Sequence, residues 1–446
     1  MGWTVVAFSA EIAAFSAENE TRPNILLIVM DDQGYGDSSC YGATDVRTPH
    51  FDALAASGVR FTRFRVNPLC APTRASLLTG QSSLETGMWR GPSQKETVER
   101  ALHADLKLLP QYLQKAGYAT GIFGKWHLGY ESPNVPNERG FDEFVGFLGG
   151  SHPYFARRNS RILKDGKPLA TDKHLTDLFA DCAEDFIRRN ARRPFFCYLP
   201  FNAVHGPLRS DDRPVDSAKP EWLAKYEKLS PNRRDYCAIL SHADDRIGRL
   251  MKLLRELDLE QNTLVICVSD NGGMIDKYPG NNGPLRGAKG TTYEGGIRVP
   301  AAVAWPAVIP AGSVSHANAA HFDVFSTVLE AAGIAIPERN GRHPVRGLSL
   351  LAHLKSGGST PLADRYLFWD LYGKMAALHG DWKIVGAIDN HHGKWDAALA
   401  KIEQTQFELY NLADDIGEKR NVADQYPEKY RDLKQRYVAW FRAATR

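Results

Sequence analysis

Apolar runs alternate with stretches of helical periodicity through the first two-thirds of the chain. The run Asn24 to Met30 (NILLIVM) is typical of a strand that is buried on both faces of a parallel sheet. Similar runs predict strands at Tyr118 to Phe123, Phe195 to Phe201 and Thr263 to Val268. The segments between them predict helices at Phe51 to Ala56, Leu109 to Ala116, Leu175 to Arg189 and Asp235 to Leu257. This alternation predicts an α/β fold in which helices sandwich a large mixed, mostly parallel sheet.

Three of these helices are flanked by residues that are suited to start or end a helix. Gly58 and Gly117 follow the first two and can adopt the left-handed conformation that ends a helix. Thr171 or Asp172 precedes the third and is a suitable N-cap, because each has a short side chain with an oxygen acceptor.

The pattern changes after about Leu362. Short strands are predicted at Tyr366 to Leu371, Met375 to His379 and Trp382 to Ile388, followed by an amphipathic helix from about Glu428 to Ala444. This pattern predicts a small C-terminal antiparallel sheet packed with one helix. We therefore expect a catalytic domain over residues 22–362 and a small α+β subdomain over residues 363–446, after an N-terminal segment, residues 1–21, of uncertain nature.

Composition and charge exclude several classes. The 446 residues carry a formal net charge of only +3, with no basic stripe, so we expect no nucleic-acid partner. The 6 cysteines form no disulfide framework and no C-x-x-C zinc pattern. No apolar run reaches the length of about 18 residues that a membrane span needs. The apolar stretch Val5 to Phe15 is interrupted by Glu11 and lacks a preceding basic residue, which makes it a poor signal peptide.

Polar groups follow four of the predicted strands. They are Asp31-Asp32, Lys125-Trp126-His127, His205 and Asp270-Asn271. Any one of them is explained by a turn, because Asp and Asn are common turn residues. Four at the carboxyl ends of strands in one parallel sheet indicate a ligand site, because ligands bind beyond that edge.

The residue types at this edge indicate a metal and an oxyanion. Asp31, Asp32, Asp270 and Asn271 offer hard oxygen ligands, which suit Ca²⁺ or Mg²⁺ and not zinc. Adjacent carboxylates also repel each other unless a cation lies between them. Positive or neutral donors would surround this metal, and these are Lys125, His127, His205 and Lys289. Such a set suits a multiply charged oxyanion such as sulfate or phosphate.

Cys70 stands at a predicted helix start. Pro72 fits the first turn and Gly80 can end the short helix. The backbone N–H groups and the dipole of a helix N-terminus favour an anion, so a nucleophile at residue 70 would face a bound oxyanion.

The segment Cys70 to Gly80 (CAPTRASLLTG) matches in full the pattern C-x-P-S/T-R-x-x-x-L-T-G, which is the signature of the sulfatases. Other segments resemble further blocks of that family: Asn24 to Asp32, Gly124 to Gly129 (GKWHLG), His205 to Pro207 (HGP), Ser269 to Gly272 (SDNG), Lys289 to Gly296 (KGTTYEGG) and Glu408 to Leu412 (ELYNL). The resemblance runs from about residue 22 to about residue 435. It is closest to the arylsulfatase A and N-acetylgalactosamine-6-sulfatase branch of the alkaline-phosphatase superfamily, which implies an alkaline-phosphatase-like fold.

The resemblance implies hydrolysis of a sulfate ester to an alcohol and inorganic sulfate. Cys70 would be converted to formylglycine by a formylglycine-generating enzyme, and one hydroxyl of the hydrated aldehyde would attack sulfur to form a covalent sulfo-enzyme. One Ca²⁺ per chain would be held by the residue-70 side chain and four further ligands, Asp31, Asp32, Asp270 and Asn271.

The same resemblance gives roles to five more residues. Arg74 and Lys125 would hold the diol and the sulfate oxygens. His205 and Lys289 would protonate the leaving alcohol. His127 would take the proton from the second hydroxyl, so that sulfate is expelled and the aldehyde is regenerated.

The substrate is predicted to be a sulfated carbohydrate, as a small molecule or an oligosaccharide, with aryl sulfates as artificial substrates. His152, Tyr154 and Trp395 are candidate sugar contacts, although the first two would equally shape a loop. Trp395 is predicted to lie in a polar loop of the small subdomain and would equally be a structural tryptophan. His242 is most simply a packed or solvent-facing histidine. The family also implies an extracytoplasmic location. The alternatives are a phosphate or phosphonate monoester hydrolase of the same superfamily and a catalytically inactive binding homologue.

Overall fold

The strand Asn24–Met30 lies in the middle of a large sheet that positions the rest of the chain. The computed structural model describes residues 22–92, 102–156, 161–206, 217–276 and 278–446. The predicted N-terminal segment, residues 1–21, lies outside the described residues. Within the described part of the chain, no helix combines the length and apolarity needed to cross a membrane.

The strands in chain order are β1 Asn24–Met30, β2 Val59–Arg65, β3 Ala119–Lys125, β4 Glu143–Phe147, β5 Leu163–Lys164, β6 Lys167–Pro168, β7 Phe195–Pro200, β8 Thr263–Ser269, β9 Arg298–Ala304, β10 Ser313–Ser315, β11 Ala319–Ala320, β12 Arg339–Asn340, β13 His343–Pro344, β14 Tyr366–Leu371, β15 Lys374–His379, β16 Trp382–Ala387 and β17 Glu408–Asn411.

The helices in chain order are α1 Pro49–Ala56, α2 Cys70–Thr79, α3 Leu109–Lys115, α4 Leu175–Arg189, α5 Pro220–Leu223, α6 Pro231–Glu256, α7 Glu294–Ile297, α8 Asp323–Ala331, α9 Leu351–Lys355, α10 Trp395–Gln404 and α11 Pro427–Ala444.

The large sheet has the order β10-β2-β9-β8-β1-β7-β3-β4-β5-β6, with β11 paired to β2. Its centre is the parallel set β8-β1-β7-β3-β4. Strand β9 runs antiparallel to both of its neighbours, β8 and β2. The predicted large mixed, mostly parallel sheet is confirmed.

Strand β1 supplies apolar side chains to both faces of the sheet, as its unbroken apolar run predicts. Leu26 and Ile28 point into one core, which they share with α4 and α6. Ile25 and Leu27 point into the other core, which contains residues of α2 and α8. The sheet is therefore covered by helices on both faces.

The small C-terminal sheet is antiparallel, with the order β14-β15-β16-β17, and α11 packs against it as predicted. A buried charge network joins this sheet to the catalytic part of the chain. Lys383 of β16 contacts Glu294 at 3.0 Å and Glu418 at 2.8 Å, and Glu294 also accepts hydrogen bonds from Arg65.

Three local predictions need correction. The N-cap of α4 is His174, whose ring nitrogen accepts a hydrogen bond from the N–H of Thr176, and not Thr171 or Asp172. Trp395, expected in a loop, is the first residue of helix α10. The helix before Gly58 ends at Ala56 as predicted, but Gly58 does not have the left-handed conformation. Gly117 does have it, with a φ of +89°, and the helix before it ends at Lys115, one residue before the predicted end.

Candidate active site

The pairing of β1 with β8 places two predicted ligand pairs side by side. Met30 lies opposite Ser269 in this parallel ladder, so Asp31-Asp32 and Asp270-Asn271 leave the sheet next to each other. The N–H of Asp270 donates to the carbonyl of Met30 over 2.9 Å, which continues the ladder past the strand ends. The predicted meeting of these side chains at one edge follows from the register.

The next two strands bring in Lys125 and His205. Lys125 is the last residue of β3, two strands away from β1. The loop after β7 is bound to the end of β1 by two short backbone hydrogen bonds, from the N–H of Asp31 to Ala203 and from the N–H of Val204 to Asp31. These bonds hold His205 at the same edge of the sheet.

Among the residues that the structure describes, three buried oxygens at this edge have no hydrogen-bond partner: Asp31 Oδ1, Asp32 Oδ2 and Asn271 Oδ1. Ligand atoms of Asp31, Asp270 and Cys70 lie within 4.8 Å of one another, and so do those of Asp31, Asp32 and His205. Unpaired acceptors are costly to bury, and a hard divalent cation would satisfy them. The donor set therefore fits the Ca²⁺ that the resemblance implies.

A cation contacts each of the three carboxylates. The Nζ of Lys125 lies 2.6 Å from Asp31, and the Nζ of Lys289 lies 2.6 Å from Asp32. The guanidinium of Arg74 donates twice to Asp270, with distances of 3.0 Å and 2.6 Å. Fixed pairs of this kind hold the acidic side chains in one geometry.

Burial and neighbouring charges give the carboxyl groups of Asp270 and Asp32 different pKa values. Burial, together with the neighbouring Asp31, raises the pKa of Asp270 to about 6. Burial also acts to raise the pKa of Asp32, but Lys289 and His205 outweigh it and hold that pKa well below its usual range. A divalent cation would favour the ionised form of both carboxyl groups.

Cys70 is the first residue of helix α2, all of whose residues are buried. The helix ends at Gly80, whose φ of +74° is the left-handed conformation that the glycine was predicted to supply. The Sγ of Cys70 lies 3.3 Å from Nδ1 of His127. Burial raises the pKa of the Cys70 thiol, against the opposing charge of Lys125. A buried thiol of this kind is a weak nucleophile in its unmodified form.

The backbone turns sharply after β3, and this turn brings the His127 ring next to Cys70. Trp126 points into the core, where its Nε1 donates to the carbonyl of Asn134 over 2.8 Å. His127 has a φ of +61°, and Asp32 has one of +66°. Left-handed conformations are costly for residues with a Cβ and cluster at functional sites. Burial, with the charges of Lys125 and Arg74, lowers the pKa of His127 well below its usual value, which leaves a neutral imidazole able to accept a proton.

The three predicted sugar contacts have different surroundings. His152 is partly exposed and lines a cavity beside His127. Tyr154 has no exposed surface, and its hydroxyl donates to the carbonyls of Asn202 and His205. Tyr154 therefore supports the loop that carries His205. This corrects the expectation that Tyr154 contacts the substrate directly. Trp395 is partly buried against Trp89.

Two contacts at the site gave no signal in the sequence. The ring of Tyr278 packs against Gly206, next to His205, so closely that a Cβ at Gly206 would lie 2.2 Å from it. A Cβ at Gly150 would lie 2.7 Å from the ring of His127. Both glycines thus allow a ring to lie directly against the main chain at the site.

A cluster of two histidines and one aspartate away from this edge has the residue types of a metal site, but its residues already have protein partners. His174, Asp177 and His242 lie close enough to share an ion. Both ring nitrogens of His174 are already within hydrogen-bond distance of backbone groups, the N–H of Thr176 and the carbonyl of Ser217. Asp177 contacts His242 and Lys219. The prediction of a packed His242 fits this cluster, because the residue is 1% exposed.

Comparison with known proteins gives a consistent assignment. A family model described as Sulfatase matches residues 23–334. N-acetylgalactosamine-6-sulfatase of Homo sapiens is 36% identical over 395 residues, which are 83% of this chain and 70% of the human protein. A sulfatase of Formosa agariphila is 30% identical over 95% of this chain and 90% of its own length.

Solved structures agree in fold. The crystal structure of Ps i-CgsB in complex with k-i-k-neocarrahexaose matches with a TM-score of 0.82 and 29% identity, over 94% of this chain and 93% of the other. The phosphonate monoester hydrolase SpPMH from Silicibacter pomeroyi matches with a TM-score of 0.66 and 20% identity, over 93% and 94%, and so shares the fold alone. The alkaline-phosphatase-like fold that the resemblance implied is confirmed.

Proposed function

Because the chain belongs to the sulfatase family and is a sulfuric ester hydrolase, we propose that it releases inorganic sulfate from a sulfated carbohydrate by means of a formylglycine formed from Cys70. The observation that carries this proposal is the position of residue 70. It begins a buried helix, lies 3.3 Å from His127, and shares a ligand cluster with Asp31 and Asp270.

Formylglycine at residue 70, formed by a formylglycine-generating enzyme, would supply a hydrated aldehyde whose one hydroxyl attacks sulfur and whose other permits elimination of sulfate from the covalent sulfo-enzyme. His127 would take the proton of that second hydroxyl, and the distance of 3.3 Å between its Nδ1 and the Sγ of Cys70 supports this role. Its depressed pKa keeps it neutral, as a proton acceptor must be.

One Ca²⁺, held by Asp31, Asp32, Asp270, Asn271 and the residue-70 side chain, would supply positive charge for the nucleophile and the sulfate oxygens. The three unpartnered oxygens at this edge support that ligand set. Arg74 and Lys125 keep Asp270 and Asp31 in place, and their positive charge adds to the field that favours sulfate.

His205 and Lys289 are the candidates for protonating the leaving oxygen. Both are neighbours of Asp32: the Nζ of Lys289 is 2.6 Å from Oδ1 and Nε2 of His205 is 3.8 Å from Oδ2. They therefore lie on the same side of the site. A sugar alkoxide is a strong base, and its departure needs a proton donor at this position.

The substrate class follows from relatives and not from the geometry alone. One relative is an N-acetylgalactosamine-6-sulfatase, and one structural neighbour was crystallised with k-i-k-neocarrahexaose. Both names support a carbohydrate substrate. An extracytoplasmic location remains part of the proposal and rests on the family.

The test is a panel of sulfated monosaccharides, nitrophenyl sulfate, nitrophenyl phosphate and a phosphonate monoester, with released anion measured by ion chromatography. We expect sulfate release from at least one sugar sulfate, and none by the matched variant Cys70→Ala. Faster turnover of the phosphate or phosphonate ester would favour that hydrolase class instead. No turnover of any ester by protein that carries formylglycine would favour a binding homologue.

A further inference from the structure

A cavity of about 370 Å³ lies beside His127. Its lining includes Tyr130, Phe147, His152 and Arg161. The volume falls within the range of about 300–1,000 Å³ that is usual for small-molecule sites. No role in the proposed hydrolysis uses this cavity, although it adjoins a residue that does.

Two adjacent glycines connect the lining of the cavity to the imidazole of His127. Gly149 lines the cavity, and Gly150 lies so close to the imidazole that a Cβ there would be 2.7 Å from Cε1 and Nε2 of His127. The opposite ring nitrogen, Nδ1, faces Cys70. The imidazole therefore has residue 70 on one side and, on the other, the glycine that follows the cavity lining, so the cavity lies next to the active site.

The local backbone fixes this arrangement. The N–H of Trp126 donates to the carbonyl of Phe147 over 3.0 Å, and the N–H of His127 donates to the carbonyl of Leu148 over 3.1 Å. These bonds continue the pairing of β3 with β4 past the ends of the strands. The cavity and the catalytic imidazole are thus held by the same rigid element.

The cavity is lined by aromatic side chains and by the positively charged side chain of Arg161. Tyr130 and His152 are partly exposed, and the ring of His152 lies 5.4 Å from that of Phe147. Arg161 is exposed and lines the cavity together with Tyr130. None of the described residues that line the cavity is acidic. Ring faces next to a guanidinium suit a sugar ring that carries an anionic group.

We propose that this cavity is a subsite for the monosaccharide unit next to the sulfated one, and that Arg161 binds an anionic group, a carboxylate or a second sulfate, on that unit. Tyr130 provides the surface for the sugar ring. The natural substrate would accordingly be an acidic oligosaccharide and not an isolated sulfated sugar. This inference rests on the proposed function, because it places the second unit relative to a sulfate ester at residue 70.

The experiment compares N-acetylgalactosamine 6-sulfate alone with three disaccharides of it, in which the second unit is a uronic acid, a sulfated hexose or a neutral hexose. For each, kcat/KM is divided by the value for the monosaccharide. A hydrogen bond to a charged group contributes about 1.5–3 kcal/mol, so Arg161→Gln should lower this ratio about 10-fold or more for an acidic disaccharide. The ratio for the neutral disaccharide should change far less.

The matched control is Arg192→Gln, an exposed arginine after the end of α4, which should leave every rate unchanged. A loss for the uronate or for the disulfated compound identifies which anion Arg161 prefers. An unchanged ratio for both acidic disaccharides in Arg161→Gln would overturn the inference.

Failure of the proposed function would show differently, as absence of turnover of every ester in the panel above by wild-type protein that carries formylglycine. In that case calorimetric titration with the same acidic disaccharides decides the matter. Weaker binding by Arg161→Gln than by the wild type supports the subsite. Equal affinity, or no binding to either protein, contradicts it.

Discussion

The buried hydroxyl of Tyr154 shares its proton between the carbonyl of His205, at 3.0 Å, and that of Asn202, at 2.9 Å. Removal of this donor leaves two carbonyls in a buried place without their partner, which costs about 1–3 kcal/mol. We predict that Tyr154→Phe lowers the free energy of unfolding by that amount in urea. It should also lower turnover of a sugar sulfate more than that of nitrophenyl sulfate, because it acts by positioning His205.

The control for this variant is Tyr112→Phe. The Tyr112 ring packs against Phe325, and its hydroxyl makes no hydrogen bond to any described residue. Equal losses in the two variants would show that Tyr154 has no special relation to the active site.

Metal removal should affect stability and activity together. Three buried oxygens have no partner within the described part of the chain, so chelation should leave the carboxylates under-compensated and lower Tm. Added Ca²⁺ should restore both Tm and activity. In Asp32→Asn, which keeps the shape of the ligand and removes its charge, the Ca²⁺-dependent rise in Tm should be smaller and bound metal should decrease. Asp389→Asn, at an exposed site, is the control. Full activity in a preparation shown by elemental analysis to be metal-free would refute the ligand set.

The roles of His205 and Arg74 can be separated by the leaving group. Nitrophenolate is a weak base and hardly needs a proton, whereas a sugar alkoxide needs one. General-acid assistance contributes about 10²–10⁴-fold where it is needed. His205→Ala should therefore slow a sugar sulfate far more than nitrophenyl sulfate. Arg74→Ala should slow both alike, because Arg74 contacts Asp270 and, in the proposed mechanism, acts on the transferred group. Equal losses for both substrates in His205→Ala would make Lys289 the better candidate for the acid.

We predict that His321, which lies away from the active site, makes the free energy of unfolding depend on pH. It is buried between Asn67 and the backbone of Arg65, and burial lowers its pKa to about 3. The unfolded chain, in which histidine has a pKa near 6.5, binds this proton first. Stability is therefore lost as pH falls from about 6.5 towards 3, by at most about 1.4 kcal/mol per pH unit.

His321→Gln should flatten the dependence of unfolding free energy on pH over this window, measured as the difference from the wild type. The exposed His316 provides the control, and His316→Gln should keep the wild-type slope. A wild-type slope in His321→Gln would show that this histidine is not the group that titrates.

The centre of the fold could be predicted because its physical signal is strong. Strands such as β1 and β8 are continuous apolar runs, and the carboxyl ends of parallel neighbours must meet, so Asp31 and Asp270 could be placed together without coordinates. Strand β9 was missed because Pro300 and three alanines give it little β signal. Its pairing with β2 is irregular between Phe61 and Phe64, opposite Pro300, where a ladder hydrogen bond has no donor.

The surroundings of the site could not be predicted for a different reason. Tyr278 meets Gly206, and Gly150 meets His127, only because distant loops converge above the sheet. No local pattern encodes such contacts. Tyr154 shows the same limit: its side chain could be assigned to the region of the site, but its direction, towards the His205 carbonyl and away from solvent, depends on packing.

The proposed mechanism depends on formylglycine at residue 70. It is tested by the mass of the peptide that contains residue 70, from enzyme purified in active form from a host able to carry out the modification. We expect an aldehyde or its hydrate at this position, in a fraction that rises with specific activity. Active enzyme whose residue 70 is entirely unmodified cysteine would contradict it.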